Sequence, residues 1–460
     1  MHAHAAAATL PLVPPMPTPA ARPPSFLRVL LRGRGDLLSL FPEEAYRRQV
    51  MSFRMPGRLL LVVNHPEVVR EVFVNRHETY QRKSRFMEQA LAPVIGDSLF
   101  INHGAVWAER RAAIGPELHP SKLDRFFPLF LRAAEEMAED LARAAPGPVD
   151  LSAAFAAATA RVVMLALFGE TGSRREDAAA LASAFAAYQA AAENLDLLHM
   201  LGLPAWFPSP QGRTARRQAA AIRCLIARLL AGVPPGAGPP LLEAVRGARR
   251  ADGSPLLEGG EVLVNEIGML LLAGSETAAN TLTWTLYLMA RHPETERRVR
   301  EELARLPAAP GPDALGPLTF TRAVLQEAMR LYPPVAVLSR QALAADRIRR
   351  WSLRPGDTVM CVPWLLHRHA DWWEHPHAFL PERFLPEAAR RQPKFTYMPF
   401  GLGPRVCAGA AFGMAEMQVF LGVLLRRLAF SVPEGFTPRP FCRLTLRPAG
   451  GMPLRVATRR

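Results

Sequence analysis

From Leu123 to Glu302, apolar side chains return at three- and four-residue steps through a background of Ala, Leu, Glu and Arg. That period and composition predict a run of amphipathic helices. Breaks at Ala145-Pro146-Gly147, at Leu203 to Gln211 and at Gly232 to Pro240 read as loops between helices, and none has the texture of a domain linker. Before this region, Glu43 to Val74 predicts a helical turn, strands at Arg47 to Arg54 and Arg58 to Val63 joined by a Pro56-Gly57 turn, and a helix after Pro66. After Pro333-Pro334 the period shortens: Val335 to Leu338, Trp351 to Leu353 and Thr358 to Val362 read as short strands. A Pro- and aromatic-rich stretch then runs to Phe400, followed by a helix from Ala408 to about Leu428 and a hairpin around Phe430 to Pro448. No internal repeat is visible. The pattern predicts a mainly α protein with a small β part, of the α+β class.

Composition narrows this only a little. The 460 residues are 49% hydrophobic and 21% charged, an ordinary globular balance able to bury a large core. The length fits either two modest domains or one large fold built around a cofactor. No stretch reaches the roughly 18 uninterrupted apolar residues of a membrane span. The longest candidate, near Ile267 to Ala273, is preceded by Asn265 and Glu266, so a soluble protein is expected. Residues 1–24, rich in Ala and Pro, predict a flexible tail without the order of a secretory signal, leaving 25–460 as one domain. Four well-separated cysteines, Cys224, Cys361, Cys407 and Cys442, suit a reducing cytoplasm. The formal charge of +15, with only Lys83, Lys122 and Lys394 as lysines, admits a nucleic-acid partner, an acidic protein partner or a simple arginine bias.

Chemistry concentrates at four places. In Phe400-Gly-Leu-Gly-Pro-Arg-Val-Cys407-Ala-Gly409, the glycines Gly401 and Gly403 permit a tight turn beside a flat cofactor. Cys407 arrives just ahead of the positive end of a helix, which favours thiolate, and the amides of Ala408 and Gly409 are placed to damp its charge. The bland alternative is a buried loop cysteine. The second place is Ala273-Gly274-Ser275-Glu276-Thr277, within an apolar helix from about Glu261 to Arg291. Its glycine lets a flat ligand approach and its acid-hydroxyl pair can pass protons, although a Gly-Ser kink with an exposed acid explains the same letters. Third, Glu327 and Arg330 stand three apart on one helical face, by themselves a commonplace pair. Fourth, Trp107 and Arg111 share a face, and Arg340 follows the Pro-Pro strand; arginine forks suit bidentate carboxylate binding, while a solvated arginine is the alternative for each.

The segment from Phe400 to Gly409 matches F-x-x-G-x-R-x-C-x-G at every specified position, and on that ground the chain resembles the cytochromes P-450. The resemblance extends in order over nearly the whole chain after the tail. It implies the fold of that family, with haem b between the long central helix and the Cys-loop helix, and Cys407 as the iron ligand. It implies that Arg405, Trp107, Arg111 and Arg340 meet the propionates, that Phe400, Gly401 and Gly409 shape the thiolate loop, and that Ala273 and Gly274 flank the cofactor. Glu276 and Thr277 become proton-delivery residues, and Glu327, Arg330 and Arg383 a buried network supporting the loop. Family positions suggest a substrate pocket of Phe86, Met87, Leu91, Val94, Leu99, Leu270, Val335, Val337 and Leu446, almost wholly apolar. The activity implied is insertion of one atom of dioxygen into a fatty acid, terpenoid or steroid-like molecule. Its electrons would come from a separate ferredoxin or flavodoxin with its reductase, since no flavin, dinucleotide or iron-sulfur motif is present. A monomer without nucleic-acid partner follows. Peroxide-driven turnover and non-catalytic haem sensing are the alternatives. Arg405 and Pro381-Glu382-Arg383-Phe384 look like the membrane-bound branch, whereas no anchor segment accompanies them.

Overall fold

A computed structural model of the chain describes residues 12–21, 36–55, 57–192, 210–307 and 310–459. Its longer helices are α1 (Arg85–Ile95), α2 (Gly104–Ile114), α3 (Leu123–Ala144), α4 (Leu151–Gly172), α5 (Arg175–Ala192), α6 (Pro210–Ala231), α7 (Gly260–Arg291), α8 (Pro293–Ala304), α9 (Thr319–Leu331) and α10 (Ala410–Arg427). α7 lies inside the bundle, touching α1, α4, α6, α9 and α10. A helix covered on all sides cannot be amphipathic, and α7 is buried nearly all round from Val264 to Met289. Its many hydroxyls are satisfied within the helix itself. Ser275, Thr281, Thr283 and Thr285 each donate to the carbonyl four residues back, at 2.6–2.9 Å. Trp284 stacks on Tyr332 at 3.8 Å, fixing α7 against the end of α9.

The main sheet has the order β1-β2-β8-β5-β3, with β1 Val50–Met55, β2 Arg58–Val63, β3 Arg82–Lys83, β5 Leu338–Gln341 and β8 Thr358–Cys361. The β1–β2 hairpin closes from Met55 to Arg58 as expected, with Gly57 at φ 70°; Pro56 lies outside the described residues. The first strand begins at Val50 and not at Arg47, because Glu43–Tyr46 forms a 3₁₀ turn that Arg47 closes. The expected strand at Val335 starts three residues later, at Leu338. A second sheet joins β4 (Gly147–Asp150), β12 (Pro453–Thr458) and β9 (Leu428–Ser431). Two hairpins, β6–β7 (Asp346–Ile348, Trp351–Leu353) and β10–β11 (Arg439–Cys442, Leu446–Ala449), complete the strands described. The expected hairpin from Phe430 to Pro448 is therefore divided: Phe430 pairs with Val456, and Pro448 with Pro440.

The Ala/Pro-rich stretch lies against the body at 12–21. Leu12 accepts from the Phe379 amide at 2.9 Å, and the Pro15 carbonyl from the Tyr332 hydroxyl at 2.7 Å. The rest of that stretch, and residues 203–209 of the break expected from Leu203 to Gln211, lie outside the described residues, while Pro210 and Gln211 open α6 instead. By length and composition α4, from Leu151 to Glu170, and α7 are long and apolar enough to cross a bilayer. Both pack inside the bundle here, and Arg161 of α4 is buried on the Ser173 carbonyl and Glu136.

Candidate active site

The loop before α10 is closed by the Cys407 amide donating to the Phe400 carbonyl at 2.8 Å and the Val406 amide donating to Gly403 at 3.0 Å. Gly401 and Gly403 take φ 76° and 67°, a region side chains rarely occupy. A Cβ on Gly403 would lie 2.1 Å from the Phe73 carbonyl oxygen, so this glycine answers to a neighbouring backbone as well as to its turn. The Cys407 side chain is exposed, yet the protein around it is dense enough that burial pushes the thiol up. A group open to a small molecule but desolvated by its surroundings faces an internal cleft. The Gly409 amide bonded to the sulfur and the charge of Arg111 oppose the rise without reversing it. The expectation that the helix end would favour thiolate is thus corrected for the chain alone: desolvation outweighs one amide and one partly screened cation.

On α7 the same openness appears at Ala273, exposed in the middle of an otherwise covered helix, with Gly274, Glu276 and Thr277 partly open beside it. The Thr277 hydroxyl donates to the Ala273 carbonyl at 2.9 Å. Gly274 turns towards α4, where a Cβ would come within 2.9 Å of Val163 Cγ2; helix packing therefore already requires the glycine. Glu276 is bridged by two distant segments: Thr445 Oγ1 donates to Oε1 at 2.5 Å and Gln189 Nε2 donates to Oε2.

Four cations gather near the cleft. Arg340 is buried with its guanidinium 4.9 Å from the Phe73 ring, and Lys83 is buried with its ammonium 3.7 Å from the Phe100 ring. Arg405 lies 4.8 Å from the Trp107 ring and donates to the carbonyls of Gln81, Asn102 and Phe100 at 2.8–3.2 Å. Arg111 is close enough to Cys407 for each to feel the other's charge. Among the described residues none of the four is paired with a carboxylate. Burial, then mutual repulsion, pushes Arg405 down to about 9 and Lys83 well below its ordinary range; burial alone brings Arg340 to about 10. Lys83 and Arg340 even face each other across β3 and β5, where like charges destabilise a sheet. Buried cations without counter-ions, beside an open thiol, fit a flat ligand that brings its own carboxylates and a metal, as haem does. Trp107, Arg111, Arg340 and Arg405 are the cations and ring expected here from the sequence, and Lys83 joins them only in the structure. The signal was its cross-strand register with Arg340, which only the sheet reveals.

The network beneath the loop is fully built. Glu327 and Arg330, both wholly buried, share a bidentate pair at 2.6 and 2.8 Å. Arg330 also donates to the carbonyls of His367, Pro376 and Ala378, and Arg383 reaches Glu327 at 3.4 Å. Burial, with Arg330 and Arg368 nearby, pushes the His367 imidazole down to about 3. His367 Nε2 can therefore accept the Met398 amide at 3.0 Å, connecting the network to the start of the cysteine loop.

Of the expected pocket residues, Leu91, Val94, Leu99, Leu270 and Leu446 are buried, Met87, Val335 and Val337 are intermediate, and Phe86 is exposed. Leu446 is held over Pro334 by its amide at 2.9 Å. A separate groove of about 690 Å³ lies between α6 and the start of α7, lined by Cys224, Leu230, Val233 and Leu263. It includes neither Cys407 nor Ala273, and so is not part of this site.

Comparison with known proteins gives one consistent result. The family model described as Cytochrome P-450 matches residues 16–454. Cyclooctatin synthase of Streptomyces melanosporofaciens is 29% identical, covering 94% of this chain and 92% of that protein. Echinocystic acid 23-monooxygenase of Saponaria officinalis is 26% identical, covering 85% and 78%. The crystal structure of a mutant cytochrome P-450DA heme domain superposes with a TM-score of 0.80 at 22% identity, over 97% of this chain and 98% of the other.

Proposed function

Because the chain belongs to the cytochrome P-450 family of haem-thiolate monooxygenases, we propose that it holds haem b on Cys407 and oxygenates a large, apolar carbon skeleton. The observation that carries this reading is the open thiol of Cys407 beside Lys83, Arg111, Arg340 and Arg405, cations that lack carboxylate partners among the described residues. When bound, haem supplies activation of dioxygen, with sulfur donation favouring O–O cleavage. The residues do the rest. Cys407 ligates through Sγ, and the Gly409 amide takes part of the sulfur's charge. Arg111, Arg340, Arg405 and Lys83 neutralise the two propionates, with Trp107 holding Arg405 in place. Phe400, Gly401 and Gly403 keep the loop closed against water.

Thr277 holds a hydroxyl proton on Ala273 O; rotation about its χ1 turns that proton into the cleft, where it serves oxygen protonation. Glu276 stands beside it as the acid of the pair. Met87, Val335 and Val337 keep surface open to offer the substrate an apolar wall, with Leu91, Leu99 and Leu270 nearly covered behind it and Val94 and Leu446 wholly covered by protein. The Saponaria relative is named a 23-monooxygenase of echinocystic acid, which supports a terpenoid- or steroid-like substrate here. Electrons arrive from a separate ferredoxin or flavodoxin, and the four unbridged cysteines suit a reducing cytoplasm.

The test is spectroscopic. Reduced protein exposed to carbon monoxide should show the red-shifted Soret band of thiolate ligation, and Cys407→Ser should lose it. An unshifted band in the unaltered protein would overturn the assignment.

A further inference from the structure

The expected pocket wall is apolar, yet Glu276, a carboxylate, stays partly open three residues after the exposed Ala273. It is gripped from two sides. Gln189, buried near the end of α5, donates to one oxygen; Thr445, in the turn between β10 and β11, donates to the other at 2.5 Å. Both arms are themselves anchored. The neighbouring Tyr188 hydroxyl fixes α5 on the Ala90 carbonyl of α1 at 2.5 Å, and the Leu446 amide fixes the turn on Pro334 at 2.9 Å. Placing a carboxylate among apolar residues has a desolvation cost that a leucine at 276 would avoid. Joining three segments does not require a charge, since neutral amides and hydroxyls do that well.

Resting on the haem-thiolate reading above, we propose that Glu276, oriented by Gln189 and Thr445, is the polar anchor of the substrate pocket, accepting a hydrogen bond from a hydroxyl on an otherwise apolar substrate. The chemistry selects a donor. A carboxylate only accepts, so it favours an alcohol over the matching hydrocarbon, and it repels a carboxylic acid. The exchangeable arm of the grip is Thr445, whose hydroxyl a substrate hydroxyl can replace at Oε1. Gln189, more deeply buried, keeps the carboxylate aimed during that exchange. The substrate therefore carries a hydroxyl before this enzyme acts, so a prior hydroxylation, or hydrolysis of an ester, must supply it.

The experiment titrates the haem-loaded protein with matched pairs, limonene against perillyl alcohol and farnesene against farnesol, following the substrate-induced Soret shift. Binding equilibrium, unlike turnover, is blind to any part Glu276 takes in proton delivery. The alcohols should bind at least about tenfold more tightly than their hydrocarbons. Glu276→Leu should erase the preference by weakening only the alcohols, and Glu276→Gln should reduce it because a neutral acceptor is weaker. Equal binding of alcohol and hydrocarbon by the unaltered protein overturns the proposal. So does a preference unchanged in Glu276→Gln, the variant that decides the matter should Glu276→Leu not hold its fold. The carbon-monoxide band separates the two levels: loss of alcohol preference with a red-shifted band refutes the anchor alone, whereas an unshifted band in the unaltered protein refutes the haem-thiolate reading and the anchor with it.

Discussion

At Gly403 the backbone turns at φ 67° with the Phe73 carbonyl where a Cβ would go. Gly403→Ala combines a left-handed residue, costing about 1–2 kcal/mol, with a contact that backbone cannot yield to. It should lower the unfolding midpoint of the haem-free chain and weaken haem retention, both readable by thermal melts with and without haem. Gly413 is the control within the same region. It lies inside α10 with open space at its Cβ position and no positive φ, so Gly413→Ala should stabilise by about 0.5–1 kcal/mol. Charge makes the harshest demand. Arg330 is wholly buried, and removing it leaves the Glu327 charge in the interior with the Leu380 amide at 2.8 Å and the longer contact to Arg383. Arg330→Ala should cost about 3–5 kcal/mol in urea unfolding, with Lys failing to restore what the planar fork supplied to Glu327 and three carbonyls.

Between elements, the contact most open to pH is the one tying α7 to the segment after α1. Glu266 of α7 is wholly buried, accepts the Leu99 amide on both oxygens at 2.9 and 3.1 Å, and pairs with Arg110 of α2 at 2.6 Å. Burial pushes its carboxyl from an ordinary value near 4.5 up to about 7, against the pull of Arg110 and the Leu99 amide. A carboxyl whose folded value is raised binds its proton more tightly when folded. Its contribution to stability is thus complete below about pH 4.5 and is lost as pH rises through about 7. Glu266→Gln should flatten the part of the stability profile between pH 5 and 7.5. Denaturant titrations across that window check it, and an unaltered slope would place the titration elsewhere. Since α2 also carries Trp107 and Arg111, the same contact sets where those two side chains stand.

Across the whole molecule, the cation cluster couples folding to ligand. Lys83, Arg340, Arg405 and Arg111 come from β3, β5, the cysteine loop and α2, and in the chain alone they repel one another. On the proposed haem-thiolate reading, the fold tolerates this because an anionic ligand would meet the four cations, and its binding energy would be added to the folded state. Lys83→Met, which keeps the length and removes the charge, should therefore have opposite effects in two assays. The haem-free protein should melt at a higher temperature, and the haem-loaded protein should release haem to an acceptor faster. A change of the same sign in both would mean that Lys83 is an ordinary packing residue.

What the sequence determined by itself was local or carried by a dense motif. The helical period from Leu123 to Glu302 is written in consecutive residues, because an amphipathic face repeats every few positions, and the helices formed there. The Phe400 to Gly409 pattern likewise specifies a loop whose turns, glycines and cysteine are neighbours in the chain, and it led to the family that the comparisons show. Tertiary structure alone decided which distant segments meet. Phe430 looked like one arm of a hairpin with Pro448 but pairs with Val456, since a strand's period names its face and not its partner. Gly274 answers to Val163, Lys83 stands opposite Arg340, and Glu276 is held by Gln189 and Thr445, residues 87 and 169 positions away. Such contacts depend on how buried faces pack in three dimensions, and no spacing along the chain encodes them.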